Sequence, residues 1–471
     1  MIKTVFLFYL CAIFIGCGTI AQVRKDEPHI IGRPNVLFIV ADDMNTYAFL
    51  KNYPVLKTPA LDKLVSQSYY FKNATCAAPV CIPSRASFWT SISPHKTGSY
   101  FNTQTTWENT MLSKTEVMPE TFKKNGYETF GRGKIFHLPL NDNREQKMFD
   151  NEIYKGGYGP FGEKEDNYGA NRWMTVKPWT GPDSDFADVK NADAGVEFLS
   201  KKHDKPFFMY YGLFRPHSPY TAPKRFYDLY NDAKITLPPG YKENDLEDVP
   251  DAGKDLSDNM KGLKYAGLSK KEVWLHLMKA YCANYSFADW NIGRVLEALD
   301  KSEYAKNTIV VFVSDNGFHN GAKDHWTKST LWDQADVIPF LIRLPNGKAY
   351  KCPQTVSLID IYPTLLEYCG IKGPAHNLDG KSIIPVLKNA SAKWDRNSVT
   401  FYGENYTGVR SERYRYILYR DGSEELYDHS NDPYEHVNLA KDPNKKALIA
   451  ELSKFVPSSF APSLGKKGGE D

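Results

Sequence analysis

The stretch "NVLFIVADD", Asn35 to Asp43, is an apolar run that stops abruptly on two acids. A strand with one solvated face alternates apolar and polar residues, and this one does not alternate. It therefore suits a central strand buried on both faces, as in a parallel sheet covered by helices. "NTIVVFVSDNG" (Asn307 to Gly317) repeats the pattern, and "KPFFMYYGLFRPHSP" (Lys205 to Pro219) is a third such run that ends on a histidine. Amphipathic stretches such as "TPALDKLVSQS" and "MPETFKKNGY" lie between them. This alternation predicts a doubly wound α/β core, in which ligands bind at the carboxyl ends of the strands.

Working outward, the pattern changes after about residue 390. "SVTFYGENYTGVRSERYRYILYRDGSEELYD" is short-period, rich in Tyr and Arg, and turns at Asp421-Gly422, which suits a small antiparallel sheet. The expected division is a signal segment over 1–21, a large α/β unit over 30–390 and a small β-sheet unit over 391–471. Asn141 to Asp185, rich in Gly, Asn, Pro and Trp, reads as a long surface excursion near the site.

Composition narrows the function class. Of 471 residues, 42% are hydrophobic and 24% charged, which suits a folded globular chain rather than a disordered one. Fifty-nine Lys and Arg against 56 Asp and Glu leave a net charge of +3, giving no global field to attract nucleic acid or an anionic membrane. Any anion must be bound by a local cluster. The N-terminal "MIKTVFLFYLCAIFIGCGTIAQ" reads as an export signal too short to span a bilayer, cleaved after Ala21, with lipidation of Cys17 as the alternative. Export predicts a periplasmic or secreted protein, or a lipid-anchored one. Five of the seven cysteines then remain, Cys76, Cys81, Cys282, Cys352 and Cys369, and an odd number leaves at least one without a partner. Cys282 reads as a buried thiol in a helix. A Cys352–Cys369 disulfide stays open.

Asp42-Asp43 and Asp315-Asn316 both follow buried strands, so three carboxylates and an amide can meet in one pocket. Oxygen donors of that kind suit a hard cation, Ca²⁺ or Mg²⁺. An acid after a strand is also a common turn or cap residue, and that reading competes.

"CIPSR" at Cys81 to Arg85 decides between them. With "ADD" at Ala41 to Asp43, "GRGKIFH" at Gly131 to His137, "RPHSP" at Arg215 to Pro219 and "SDNG" at Ser314 to Gly317, the chain resembles the type I sulfatases from Asn35 to Leu439. "GKIFH", "RPHSPY" and "HWTKSTLWD" make it most similar to the iduronate-2-sulfatase branch. The resemblance implies an alkaline-phosphatase-like fold, a mixed or parallel sheet sandwiched by helices, and hydrolysis of sulfuric esters.

It also implies roles. Cys81 would be converted by a maturation enzyme to formylglycine, whose hydrate attacks sulfur and then expels sulfate by re-forming the aldehyde. A helix starting near Pro83 would aim its free N–H groups at the sulfate, and Arg85 would hold the diol. Asp42, Asp43, Asp315 and Asn316 would bind one Ca²⁺ together with an oxygen of modified Cys81. Lys134 and Lys328 would clamp the sulfate, His137 would act as base and His217 as acid for the leaving alcohol. Without the resemblance, a Lys is a solvated charge and a His after Pro a packed one. Asn316 stands where the iduronate branch carries a second His, which weakens any claim to iduronate itself. No role follows for His319 or His325.

The expected substrate is a terminal sulfated sugar of an oligosaccharide, with an algal polymer such as ulvan or carrageenan favoured over glycosaminoglycans. Trp107, Trp173 and Trp179 lie in polar, loop-like stretches and are the expected sugar platform, Trp107 foremost. Two rivals remain. A phosphoesterase of the same superfamily needs a Thr or Ser nucleophile and ligands for a second metal. A non-catalytic glycan-binding protein leaves the acids, lysines and histidines unexplained.

Overall fold

The computed structural model describes residues 33–465, apart from 104–105, 110, 138–139, 141–142, 154–155, 164–166, 170–171, 258–266 and 346. The expected signal segment 1–21, with Cys17, lies outside the described residues.

Thirteen strands are described: β1 (Asn35–Asp42), β2 (Tyr69–Thr75), β3 (Glu128–Gly133), β4 (Val176–Trp179), β5 (Phe207–Pro216), β6 (Tyr220–Pro223), β7 (Thr308–Ser314), β8 (Phe340–Arg343), β9 (Tyr350–Ser357), β10 (Ser398–Phe401), β11 (Thr407–Arg410), β12 (Tyr414–Leu418) and β13 (Glu424–Asp428). Seven of them form the main sheet in the order β3-β5-β1-β7-β8-β2-β9. β1 pairs in parallel with β5 on one side and β7 on the other, and every residue of all three is buried, as their unbroken apolar runs require. β8 runs antiparallel to both neighbours, so the sheet is mixed.

Helices cover both faces. Residues alternate sides along β1. Leu37 and Ile39 pack into one cluster with the 32-residue helix Lys270–Lys301, and Val36 and Phe38 into another with the helix Cys81–Thr90. The long helix starts with a capping box, Ser269 accepting from the Glu272 N–H while Glu272 accepts from Ser269. Cys282 is buried within it, as read from the sequence.

β10 to β13 form a four-stranded antiparallel sheet, with Gly422 at φ 82° in the β12–β13 turn, where a left-handed residue is needed. All five described cysteines are buried free thiols, Cys352 and Cys369 included. Among the described residues, no helix is long and apolar enough to cross a membrane.

Candidate active site

The register of the main sheet assembles the site. β3, β5, β1 and β7 are consecutive neighbours, and their carboxyl ends bring up Lys134, His217, Asp42 with Asp43, and Asp315 with Asn316 in that order. Asp43 turns off the strand at φ 58°, a left-handed conformation that short polar side chains tolerate. The Tyr281 hydroxyl on the long helix secures the turn by donating to the Asp43 carbonyl at 2.8 Å. The expectation that the two acidic pairs meet therefore holds: ligand atoms of Asp42, Asp43, Cys81 and Asp315 all lie within 4.8 Å of one another.

Cys81 reaches this edge from the other side. After β2 the chain runs into the helix Cys81–Thr90, so Cys81 is its first residue rather than one preceding it, and the start lies two residues before the one expected at Pro83. The Ile82 N–H, at the second position of this helix, donates to Asn102 Oδ1 at 2.9 Å. Cys81 Sγ lies 3.5 Å from Asp42 Oδ1, 3.7 Å from Asn316 Oδ1 and 3.0 Å from Lys328 Nζ. Burial pushes its thiol pKa up despite Lys134 and Lys328, so the unmodified side chain is a neutral thiol.

The cations have divided partners. Lys134 Nζ binds Asp42 Oδ2 at 2.6 Å, and Lys328 Nζ binds Asp43 Oδ1 at 2.8 Å. Burial raises the Asp42 pKa, but Lys134 and His217 outweigh it and hold the carboxyl below the usual carboxylate range. Arg85 directs its fork at Asp315 Oδ2, with Nε and one terminal nitrogen each at 2.9 Å. Its other terminal nitrogen donates to the Lys134 carbonyl at 2.8 Å and to the Tyr210 hydroxyl at 3.0 Å. Arg85 thus fixes Asp315 and the Lys134 segment.

His217 Nδ1 lies 2.5 Å from the Ser218 carbonyl, which can only accept, so the proton sits on Nδ1. Nε2 then faces the pocket, 3.6 Å from Asp43 Oδ2. His137, at φ 70°, lies three residues past Lys134, its ring 6.4 Å from that of Tyr158. His319 is buried against Thr330 Oγ1 at 2.6 Å, and His325 Nε2 meets the Lys328 carbonyl at 2.7 Å, which steadies that lysine's segment.

The tryptophans separate. Trp107 is a correction: it is only 4% exposed, edge-on to Phe136 at 5.1 Å inside the hydrophobic core, and it offers no face to a sugar. Its polar sequence neighbours conceal an aromatic that gains more by burial than by exposure. Trp179 donates its indole N–H to Asp185 at 2.9 Å. Trp173 stands edge-on to His217, ring centroids 5.7 Å apart. Sequence reasoning missed Tyr210 and Tyr281, each of which reads as one more core aromatic, and Tyr158, which lies in the excursion after residue 141.

Comparison with known proteins is consistent with this geometry. A protein described as a sulfatase from Formosa agariphila is 36% identical over 98% of this chain and 93% of its own length. An ulvan-active sulfatase from the same organism is 29% identical over 93% of this chain and 82% of its own. The solved structure of a phosphonate monoester hydrolase from Silicibacter pomeroyi superposes with a TM-score of 0.72 at 22% identity, covering 89% of this chain and 94% of the other. That likeness shows the fold alone, because one fold hosts several chemistries. The model of the N-sulphoglucosamine sulphohydrolase C-terminal region matches residues 321–459, and the model of the sulfatase domain matches residues 34–371. The chain therefore belongs to the type I sulfatase family and is a sulfuric ester hydrolase.

Proposed function

We propose that the chain hydrolyses sulfate esters carried by a sugar, giving inorganic sulfate and a free hydroxyl. The observation that carries this reading is the convergence on Cys81 of Lys328, Asp42 and Asn316 at the start of a helix whose Arg85 fixes Asp315.

Residue 81 is read as formylglycine, made by a maturation enzyme, and Asp42, Asp43, Asp315 and Asn316 as holding one Ca²⁺ with an oxygen of that residue. The donor set supports this. Carboxylate and amide oxygens suit a hard cation and a thiol sulfur does not, so replacing Sγ by oxygen makes the set uniformly hard. Lys134 and Lys328, which here pair with Asp42 and Asp43, would be free to meet an anion if those acids held a cation. When present, the cation supplies neutralisation of sulfate charge and the hydrated aldehyde supplies the nucleophilic oxygen.

The chain's own residues do the rest. Lys134 and Lys328 hold the sulfate oxygens, Arg85 keeps Asp315 in place and His137 is the base. A sugar alkoxide is a poor leaving group. His217, its Nδ1–H engaged by the Ser218 carbonyl, presents Nε2 to that oxygen, and Asp43 stabilises the imidazolium that gives up the proton.

The substrate is read as a terminal sulfated sugar of an oligosaccharide. Similarity to the ulvan-active sulfatase supports an algal polymer, and the motifs "GKIFH" and "RPHSPY" support the iduronate-2-sulfatase-like branch. The division into units over 30–390 and 391–471, and export to the periplasm or outside, free or lipid-anchored, belong to the same reading.

The test is direct. Protein made alongside a formylglycine-generating enzyme should carry an aldehyde at residue 81 by peptide mass spectrometry, hydrolyse 4-nitrophenyl sulfate in preference to 4-nitrophenyl phosphate, and lose turnover on chelation. Full activity with an unmodified thiol, or preference for the phosphate, overturns it. A glycan-binding protein hydrolyses neither.

A further inference from the structure

The excursion between residues 141 and 185 carries two aromatic residues to the catalytic rim. Tyr158 has its ring centroid 4.6 Å from that of His217, and Lys134 Nζ stands 5.3 Å from the same ring. Trp173 lies edge-on to Tyr158 at 5.0 Å and to His217 at 5.7 Å. Both are half-buried, in contrast to the fully packed Trp107.

A Gly- and Asn-rich segment does not hold rings at such distances unaided. Two carbonyls near its middle are gripped from the sheet side. The Tyr158 carbonyl accepts from an Arg215 terminal nitrogen at 2.7 Å, and the Pro160 carbonyl accepts from Thr221 Oγ1 at 2.5 Å. Arg215 and Thr221 are locked to each other, Arg215 donating to the Thr221 carbonyl at 3.1 Å and to its hydroxyl at 3.0 Å. Arg215 is itself buried, and its backbone N–H and that of Phe214 both donate to Asp188. A guanidinium is buried only where its donors are met, and here one of them is met by the excursion.

We propose that Tyr158 and Trp173 form the wall on which the leaving sugar ring packs, and that Arg215 and Thr221 are the latch holding this wall beside His217. The proposal rests on the sulfate-ester reading above. The proton donor must lie next to the bridging oxygen, so the leaving ring lies next to His217, where these two aromatic residues stand. An apolar sugar face packs on an aromatic ring. The Tyr158 ring also attracts the Lys134 ammonium, so one side chain borders both the sulfate and the sugar. Trp173 is the specificity residue, whereas Arg215 is a positioning residue that acts through the excursion.

The experiment measures KM and kcat for the monosulfated pyranoside that the parent enzyme turns over best, with 4-nitrophenyl sulfate as second substrate and inorganic sulfate as inhibitor. Trp173→Ala should raise the pyranoside KM about tenfold while the inhibition constant of sulfate moves less than about twofold. Trp173→Phe should recover most of the loss. Arg215→Lys, which keeps the charge and loses the fork, should give the same split as Trp173→Ala. Binding to Cys81→Ser protein, measured by calorimetry with the same pyranoside and with sulfate, should repeat it without turnover. If pyranoside and sulfate weaken together, or kcat falls alike on every ester, the aromatic pair only supports His217 and Lys134 and the proposal is overturned. A parent that cleaves 4-nitrophenyl sulfate but no sulfated sugar also overturns it. A parent that cleaves no sulfate ester overturns the reading beneath it instead.

Discussion

Two buried clusters flank the end of β7, and they are built from almost the same residue types. In the first, Asp42, Asp43 and Asp315 face Arg85, Lys134, Lys328 and His217. In the second, Asp333, Asp336 and Glu435 face Arg410, Arg415 and His429. Both bring acidic and His or Cys ligand atoms within 4.8 Å of one another, so proximity does not tell a site from a joint. The opposing cations do. Arg415 bonds to Asp333, to Asp336 at 2.5 Å and to Glu435 at 2.9 Å, which fastens the C-terminal sheet to the segment after β7. In the first cluster two of the cations are lysines, point charges on flexible stems that can change partner, and Lys328 also lies 3.0 Å from the Cys81 sulfur. Arginine forks close a cluster, and lysines leave it open.

That contrast can be broken in several places. The largest effect belongs to Cys81→Ala. It should reduce turnover of 4-nitrophenyl sulfate by about 10⁴-fold or more, with Tm moving by no more than about 2–4 °C. A large loss of stability instead would make Cys81 part of a joint.

His217→Ala comes next. It should cost about 10²–10⁴-fold on a sugar sulfate and much less on an activated aryl sulfate, whose anion leaves without a proton. Equal losses on the two would assign His217 to sulfate binding, with Lys328 as the better acid.

Arg415→Ala inverts the pattern. Three carboxylates, Asp336 and Glu435 among them fully buried, lose their shared partner, a cost of about 3–5 kcal/mol, read as a drop in urea midpoint, while the specific activity of the folded fraction stays close to the parent's. A variant that is stable and inactive would move the second cluster into the catalytic machinery.

The last expected effect is a slope with pH rather than a loss. Asp289 is a buried carboxyl that accepts from the Ala60 and Leu61 N–H groups at 3.1 and 2.7 Å, and burial raises its pKa to about 7. A raised acid pKa means the folded state binds more protons than the unfolded one between the two values. Stability is therefore full below about pH 4 and falls as pH rises towards about pH 7. Asp289→Asn, neutral throughout, should flatten the urea midpoint over that window. An unchanged slope would show that the amides keep the carboxylate ionised.

What was legible in the sequence follows from range. β1, β5 and β7 announce themselves because a strand buried on both faces needs an unbroken apolar run, and the acids that end the runs are local signals. Cys81, Lys134, His217 and Lys328 were legible through motifs that resemble a family. Contacts made at long range were not. β8 has four residues, too few to show its direction, and it runs against both neighbours. Trp107 sits among polar residues and is buried by Phe136, 29 positions away by number, which no local window detects. Tyr210 and Tyr281 look like core residues because their rings are core, and only the hydroxyls at their tips belong to the site.

The complete burial of Cys81 sets an order of events. Its partners Asp42, Asn316 and Lys328 are 39, 235 and 247 residues away in sequence, so the pocket around it closes only after the far half of the chain has joined the sheet. Any enzyme that modifies residue 81 must reach it before that closure, while the chain is still extended. On the reading proposed here, chemistry precedes folding, and the timing of synthesis against collapse sets the fraction of molecules that become active. Chains that fold first would be intact, stable and permanently idle.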